Sequence, residues 1–312
     1  MQDIRSTAQL RAIEAAIERG DIDGVFQAVR LGREFWAPLD RQINEAFLQG
    51  ALWQIDQLPK KTGPEGTNLI VRFDQRNPRA EDWTRERAAR FVTETQADQR
   101  VLIAETVEEG IGEGAGAKRI ARRLIGERRG NQRVGGLIGL HSRDARAVRR
   151  AREELSDPEA MAAYLRRSNA PWKRSVRSAL RRGEPLRAEQ IERITRSYAD
   201  KLLRDRGQRI ARTEAHNAFS AGRNESVVQM IESGRIPPDA VTLTWQATIS
   251  KRTRDTHLAM NGQKVPYGQA FTSPSGAQMM YPGDESLGAP SEELINCRCG
   301  VRHEIDFVRL AR

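Results

Sequence analysis

The chain has 312 residues, of which 38% are hydrophobic, 30% charged and 5% aromatic, and its formal net charge is +10. This length and polar balance indicate a globular protein with about two structural units. The apolar runs are too short to span a bilayer, and two cysteines cannot form an extracellular disulfide framework, so membrane-spanning and disulfide-rich secreted proteins are excluded.

The first sixty residues predict helices. Apolar residues recur at spacings of three and four over 10–29, with a break at 20–24, and a second stripe covers 35–50. A linker rich in Pro, Gly and Lys follows at 59–67, and residues 69–74 have an extended pattern. We therefore expect an N-terminal helical segment at 1–60.

Residues 68–236 predict a helical, arginine-rich middle. The expected helices lie at about 80–109, 117–125, 142–155 and 188–234, with a new helix starting at Asp157-Pro158-Glu159, a glycine-rich hinge at 110–116 and a loose stretch at 130–140. The middle is the basic part of the chain, because residues 118–212 hold 27 Lys and Arg but only 11 Asp and Glu.

This basic stretch favours an anionic partner, and arginine pairs with phosphate through its planar fork. A solvated helix face is the alternative interpretation. The candidates for contact with double-stranded DNA are three arginine pairs: Arg122 and Arg123, Arg149 and Arg150, and Arg181 and Arg182.

The pattern changes after Pro237-Pro238. Residues 241–247 alternate and are β-branched, residues 300–305 alternate again, and turn residues crowd the interval between them. The expected fold class is therefore α+β, in which a long, mostly α-helical N-terminal part precedes a small α+β or β-rich C-terminal domain at 237–312.

The last seventy residues concentrate reactive side chains. Cys297 and Cys299 are the two cysteines of the chain, and His257 lies forty residues upstream. Thiol and imidazole are zinc ligands, and a turn-rich domain with few aromatic residues gains stability from a metal. A disulfide between the two cysteines would close a small strained ring, so we expect thiols or thiolates.

A structural zinc site needs four ligands, and the candidates are His257, Cys297, Cys299 and His303. Asp255 and His216 are alternatives for the fourth position. Three other interpretations stay open: two small buried cysteines, a thiolate–imidazolium nucleophile, and a metal-free nuclease with His257 as acid or base.

Several short motifs occur in a specific order. They are Arg212-Thr213-Glu214 in a helix, Trp245 on the following strand, a turn from Arg252 through Arg254 to His257, Asn261-Gly262, and Asn296-Cys297-Arg298-Cys299. This order resembles the phage Mu F-like minor head proteins, also described as phage head morphogenesis proteins. The resemblance is good over about 205–303 and loose over most of the chain. The family often has an acidic residue near the position of Ser250.

Structural roles are expected for several motif residues. Trp245 suits a core anchor, and Asn261-Gly262 suits a tight turn with positive φ. Residues two apart on a helix do not face each other, so Arg212 and Glu214 must pair elsewhere. We expect Glu214 to be buried against an arginine of the C-terminal turn, such as Arg252 or Arg254, and we count Asn296 among the structural motif residues.

The resemblance implies a tailed-phage or prophage protein, present in few copies per head. Its expected partners are the portal protein, the major capsid protein and packaged double-stranded DNA, with no membrane. It would be made in the host cytoplasm, end in the virion head, and act in head assembly or DNA packaging without being an enzyme. The alternatives are a nuclease or Cys/His-dependent enzyme in the C-terminal domain, and a simple DNA-binding scaffold protein.

Overall fold

The structure is a computed structural model that describes residues 9–59, 61–62, 67–68, 71–130, 132–168 and 170–306. Its helices are α1 Leu10–Glu18, α2 Ile22–Val29, α3 Arg33–Asp56, α4 Pro78–Gly112, α5 Ala117–Ile125, α6 Ser142–Ser156, α7 Met161–Arg166, α8 Lys173–Arg182, α9 Ala188–Glu232, α10 Asp255–Ala259 and α11 Ser291–Leu294. Its strands are β1 Lys61–Thr62, β2 Thr67–Asn68, β3 Glu127–Arg129, β4 Gln132–Val134, β5 Val241–Gln246, β6 Lys264–Pro266, β7 Phe271–Thr272, β8 Gln278–Met279 and β9 Gly300–Ile305. Long helices followed by a small region with antiparallel strands confirm the α+β fold class.

The chain divides into two compact units that each combine distant stretches of sequence. The first unit contains 1–38 and 90–208, and the second contains 39–89 and 209–312. The sequence-based division at 60 and 236 followed chain order. The observed units do not, because α3, α4 and α9 each contain a boundary between them.

In the first unit α1 packs against α2 and α5 through fully buried apolar side chains, among them Ile13, Val25 and Leu124. The predicted helix at 117–125 is confirmed as α5. The stretch predicted to be loose at 130–140 instead begins with an antiparallel hairpin of β3 and β4. The pattern missed it because each strand has three residues, most of them polar.

Side-chain hydrogen bonds mark two helix starts in the first unit. The residue that caps α6 is His141, whose Nδ1 accepts from the backbone N–H of Arg143 at 3.2 Å. The helix expected at Asp157-Pro158-Glu159 begins later, at Met161, because the Asp157 side chain accepts from the backbone N–H of Glu159 at 2.9 Å and holds a turn there. Both helices otherwise follow the apolar spacing.

The second unit holds a three-stranded antiparallel sheet with the order β6-β5-β9. Its register pairs Trp245 with Val301 and Leu243 with both His303 and Val265. The short hairpin of β7 and β8 adds the buried Phe271 to the same core. The predicted strands at 241–247 and 300–305 are therefore confirmed as β5 and β9.

Two glycines bring α3 and α9 into backbone contact within the second unit. A Cβ added to Gly222 would lie 1.9 Å from the carbonyl oxygen of Phe47, and one added to Gly50 would lie 2.0 Å from that of Phe219. Since no larger residue fits, the glycines fix how closely these helices approach. They place α9 where its buried residues join the core of the sheet.

Two predictions extend beyond the described residues. The extended segment predicted at 69–74 begins at two positions that lie outside them, and residues 71–74 have no regular structure. The predicted N-terminal helical segment at 1–60 also begins outside them. Among the described helices, none combines the length and apolar composition that crossing a bilayer requires.

Candidate metal centre

Three of the four predicted ligand residues meet in the second unit. The Nδ1 atom of His257, on α10, lies 3.6 Å from Sγ of Cys297 and 3.4 Å from Sγ of Cys299. The three side chains are 1%, 3% and 2% exposed. An imidazole nitrogen and two sulfurs therefore converge on one buried point, where their ligand atoms lie within 4.8 Å of one another.

The turn after α10 and the core beside it place the histidine. Gly262 has φ +83°, and the Oδ1 atom of Asn261 accepts from the backbone N–H of Ala247 at 2.9 Å, which confirms the predicted tight turn. The buried Trp245 ring meets the His257 ring edge-on, with 5.5 Å between ring centres. The predicted core role of Trp245 is confirmed, and its ring forms one wall of the site.

The segment before β9 places the cysteines. Asn296 adopts φ 57°, a left-handed conformation that Asn tolerates, and its backbone N–H donates to Oγ1 of Thr213 at 3.1 Å. Burial then alternates, because Arg298 is exposed between the two buried cysteines and donates to Oγ of Ser250 at 2.8 Å. Alternate residues of an extended chain share a face, so both sulfurs point the same way, and both are free cysteines as expected.

A carboxylate lies at the other nitrogen of the histidine. The Nε2 atom of His257 is 2.8 Å from Oε2 of Glu293, although their alignment falls short of a hydrogen bond. Burial opposes the charged form of Glu293, but hydrogen bonds from Ser275, Thr256 and Ser273 and the nearby His257 ring hold the pKa of its carboxyl below the ordinary value. A negative group therefore sits at the ring nitrogen that does not face the sulfurs.

The two thiols differ in acidity because they are hydrogen-bonded to each other. That hydrogen bond, together with burial, raises the pKa of Cys297. The same hydrogen bond lowers the pKa of Cys299. Burial acts in the opposite direction, and the His257 ring lowers this pKa further. The arrangement therefore favours one thiolate at Cys299, and a thiolate is the form that binds metals.

His303, the fourth residue of the predicted ligand set, lies elsewhere. Its Nδ1 is 3.0 Å from Oε1 of Gln54, which also accepts from Arg223 at 3.1 Å. An amide oxygen only accepts, so Nδ1 of His303 carries a proton. Burial and the charge of Arg223 lower the pKa of His303 to about 3. The prediction that His303 is a ligand is therefore corrected, because this side chain belongs to a buried hydrogen-bond network with Gln54 and is not part of the cluster.

The two alternative fourth ligands also lie outside the cluster of three. Asp255 is exposed at the start of α10. His216 lies on α9, and its Nε2 is buried without a hydrogen-bond partner. Burial lowers the pKa of His216, while the charge of Cys299 acts in the opposite direction, so the two side chains are electrostatic neighbours.

Glu214 does not pair with Arg252 or Arg254, so that prediction was wrong. Both carboxylate oxygens accept from Arg87, at 2.7 and 2.9 Å. Arg254 donates instead to the carbonyl oxygen of Ile295, and Arg252 is exposed. The partner of Glu214 lies 127 residues upstream on α4, at a position that no local motif marks.

The six arginines proposed to contact DNA fall into two groups, all in the first unit. Arg123 donates to Glu113 at 2.6 Å, and Arg149 pairs with Glu105 and Glu109 at 2.7 and 2.9 Å, with side chains only 19% and 17% exposed. The exposed group is Arg122, Arg150, Arg181 and Arg182, of which Arg182 contacts Glu184. A groove of about 730 Å³ beside Arg122, Arg123 and Arg149 is lined by glutamates as well as basic residues.

Comparison with known proteins identifies the segment that holds the site. Residues 170–302 match the family model described as "Phage Mu protein F like protein". A curated relative, "NAD(+)--arginine ADP-ribosyltransferase EFV" of Enterococcus faecalis (strain ATCC 700802 / V583), is 34% identical over 102 residues, which are 32% of this chain and 19% of that protein. The chain thus matches about a fifth of the relative's length. No solved structure matches the chain. Residues 170–302, which include His257 and both cysteines, are thus similar to the phage Mu protein F-like family.

Proposed function

We propose that this protein is a minor head protein of a tailed phage or prophage, which acts with the portal and the major capsid protein during head assembly or DNA packaging. The family match over 170–302 carries the proposal, because it includes Glu214, Trp245 and the residues of the candidate metal centre. The proposed location is the host cytoplasm during assembly and then the virion head, in few copies.

We propose further that the protein is not an enzyme at this site. His257, Cys299 and Glu293 form a thiol–imidazole–carboxylate series, an arrangement that nucleophilic enzymes use. However, the three side chains are only 1%, 2% and 5% exposed. A nucleophile must reach its substrate, so this burial supports a structural role. The activity named for the enterococcal relative is not proposed, because the match covers 19% of that protein.

Contact with packaged DNA is the third element of the proposal. The exposed arginines Arg122, Arg150 and Arg181 support it, and the exposed Arg182, which contacts Glu184, supports it less. Arg123 and Arg149 contribute less, because glutamates of the same unit already compensate their charge. Binding of this kind is sequence-independent and weakens as salt releases the condensed counterions.

The proposal is tested in the phage or prophage that encodes the chain. An amber codon placed before residue 170 is expected to reduce the yield of infectious, DNA-filled heads, and the full-length chain supplied in trans is expected to restore it. The tagged full-length chain should also co-purify with the portal oligomer from the same infected cells. Normal yield of infectious particles under the amber mutation, together with no recovery of portal, would refute a role in head assembly.

A mutation at the buried cluster separates the structural role from catalysis. Changing His257 to Gln is expected to lower thermal stability and, in proportion, the amount of chain found in heads. An enzyme would behave differently, because the variant would remain folded and enter heads at the normal level while the particles lost infectivity.

A further inference from the structure

We propose that Nδ1 of His257 and the sulfurs of Cys297 and Cys299 bind one zinc ion, and that His216 supplies the fourth ligand. The inference is independent of the role in head assembly, because it depends on the chemistry and geometry of the second unit alone. The ion would join α10 to the segment before β9, whose ligand residues His257 and Cys297 are forty positions apart.

The distances between ligand atoms fit a tetrahedral zinc site. Bonds of about 2.3 Å to sulfur and about 2.05 Å to nitrogen, at the tetrahedral angle, place nitrogen and sulfur about 3.5 Å apart. The observed separations between Nδ1 and the two sulfurs are 3.6 and 3.4 Å. Both nitrogen–sulfur separations therefore already match those expected around a zinc ion.

The arrangement of donors and acceptors points to a cation at the same place. The imidazole Nδ1 and both sulfurs face one another, and each of the three atoms can supply an electron pair. A cation accepts electron pairs from all three atoms at once. The carboxylate of Glu293 beside Nε2 provides the outer partner that orients metal-binding histidines and strengthens them as donors.

The choice of zinc follows from the ligand types. Two thiolates and an imidazole suit zinc, whereas magnesium and calcium prefer oxygen ligands. Carboxylate oxygens do not join the cluster: within the part of the chain that the structure describes, the grouped ligand residues are His257, Cys297 and Cys299.

The packing of α9 against the cysteine segment places His216 beside the site. Thr213 accepts from the backbone N–H of Asn296, and ten residues along the helix Arg223 donates to the carbonyl oxygen of Val301. Ten helical residues rise about 15 Å and five extended residues span about 17 Å, so helix and segment run side by side. His216 lies between these two anchors, and its Nε2 is buried without a partner.

Four ligands and nearly complete burial indicate a structural ion. Structural zinc sites are closed by four protein ligands, whereas catalytic sites keep one position open to solvent or substrate. Rotation of the His216 side chain toward the ion satisfies the orphaned nitrogen and closes the tetrahedron. The ion then fastens α9, α10 and the segment before β9 to one another.

The test measures metal in the full-length protein prepared without chelators. Elemental analysis of the wild type should find about one zinc per chain, and Co²⁺ added to metal-free protein should give the absorption spectrum of a tetrahedral, thiolate-bound ion. Cys297→Ser and His257→Gln should each lose most of the zinc. His141→Asn is the matched control, since His141 is 53% exposed on the first unit and Asn keeps a helix-capping side chain.

The outcomes separate the parts of the proposal. Less than ~0.2 equivalents of zinc in the wild type, with no thiolate-bound cobalt spectrum, would overturn the site without the use of any variant. Full zinc content in Cys297→Ser would overturn the assignment of that ligand. His216→Gln should bind zinc about tenfold or more weakly in competition with a chelator. Unchanged affinity in that variant would exclude His216 as the fourth ligand while supporting the site of three residues.

Discussion

Replacing Arg87 by Ala is expected to destabilise the second unit strongly. The Arg87 side chain is 13% exposed and that of Glu214 is 9% exposed, and Arg87 also contacts Glu285 at 2.6 Å. Burial opposes the charge of the guanidinium, but the hydrogen bonds and charges of Glu214 and Glu285 raise the pKa of Arg87 overall. The variant leaves two carboxylates without their cation.

The expected loss of unfolding free energy follows from the burial of this ion pair. Removing one partner of a buried ion pair typically costs about 3–5 kcal/mol, and the partial exposure of Glu285 places the expected loss near the lower end, about 3 kcal/mol. With a urea m-value of about 2 kcal/mol per M, the midpoint of unfolding should fall by about 1.5 M. Tryptophan fluorescence reports this transition, because Trp83 and Trp245 both contribute to the core of the second unit.

Arg85 provides the matched control. It lies two residues away on α4 and pairs with Asp82, but the two side chains are 66% and 51% exposed. Changing Arg85 to Ala should therefore cost less than about 1 kcal/mol. The double variant Arg87→Met with Glu214→Gln should recover part of the loss, because fewer buried charges stay uncompensated. Equal costs for Arg87→Ala and Arg85→Ala would refute the reasoning.

Two further predictions concern acid stability and DNA. The pKa of His303 is about 3 in the folded chain and 6.5 in the unfolded chain, so between these pH values the unfolded chain binds a proton that the folded chain does not. The contribution of His303 to stability is therefore present above pH 6.5 and is lost as the pH falls toward 3. The stability advantage of wild type over His303→Gln should shrink by about 1.6 kcal/mol between pH 6.5 and 5 in urea titrations, and a pH-independent difference would contradict this. For DNA, the double variant Arg122→Ala with Arg150→Ala should lower the slope of log affinity against log salt by about 1.8, measured by fluorescence anisotropy with a duplex. The double variant Arg123→Ala with Arg149→Ala should change the slope much less, and equal slope changes would argue against the exposed arginines as the contact.

The sequence predicted those elements whose pattern is local and long. The helix at 117–125 and the strands at 241–247 and 300–305 have clear periodicity, and the structure places α5, β5 and β9 there. The hairpin of β3 and β4 was missed, because three-residue strands rich in polar residues show no alternation. The number of units was expected, but which stretches form each unit was not predicted, since each unit joins two stretches that lie far apart in sequence.

The candidate site was predictable where residue type alone limits the partners. The chain has two cysteines and four histidines, so few combinations existed, and His257 with both cysteines was among them. His303 has the same chemistry as His257, and only the position of Gln54 on a distant helix assigns it to another network. The chain has 52 lysines and arginines, and any of them could pair with Glu214. Only the fold shows that Arg87 is the partner.

The ligand residues are held by contacts that need no metal. Asn296 is fixed to Thr213, Arg298 to Ser250, and Asn261 to Ala247, and each contact lies beside a ligand or the turn that places one. Because these hydrogen bonds and the sheet register position the three ligand atoms beforehand, binding a metal costs little ordering entropy. Chelation is therefore expected to lower the melting temperature while the far-ultraviolet circular dichroism at 25 °C stays unchanged. A chelated protein that loses its circular dichroism at 25 °C would show that the ion is needed to form the second unit and not only to stabilise it.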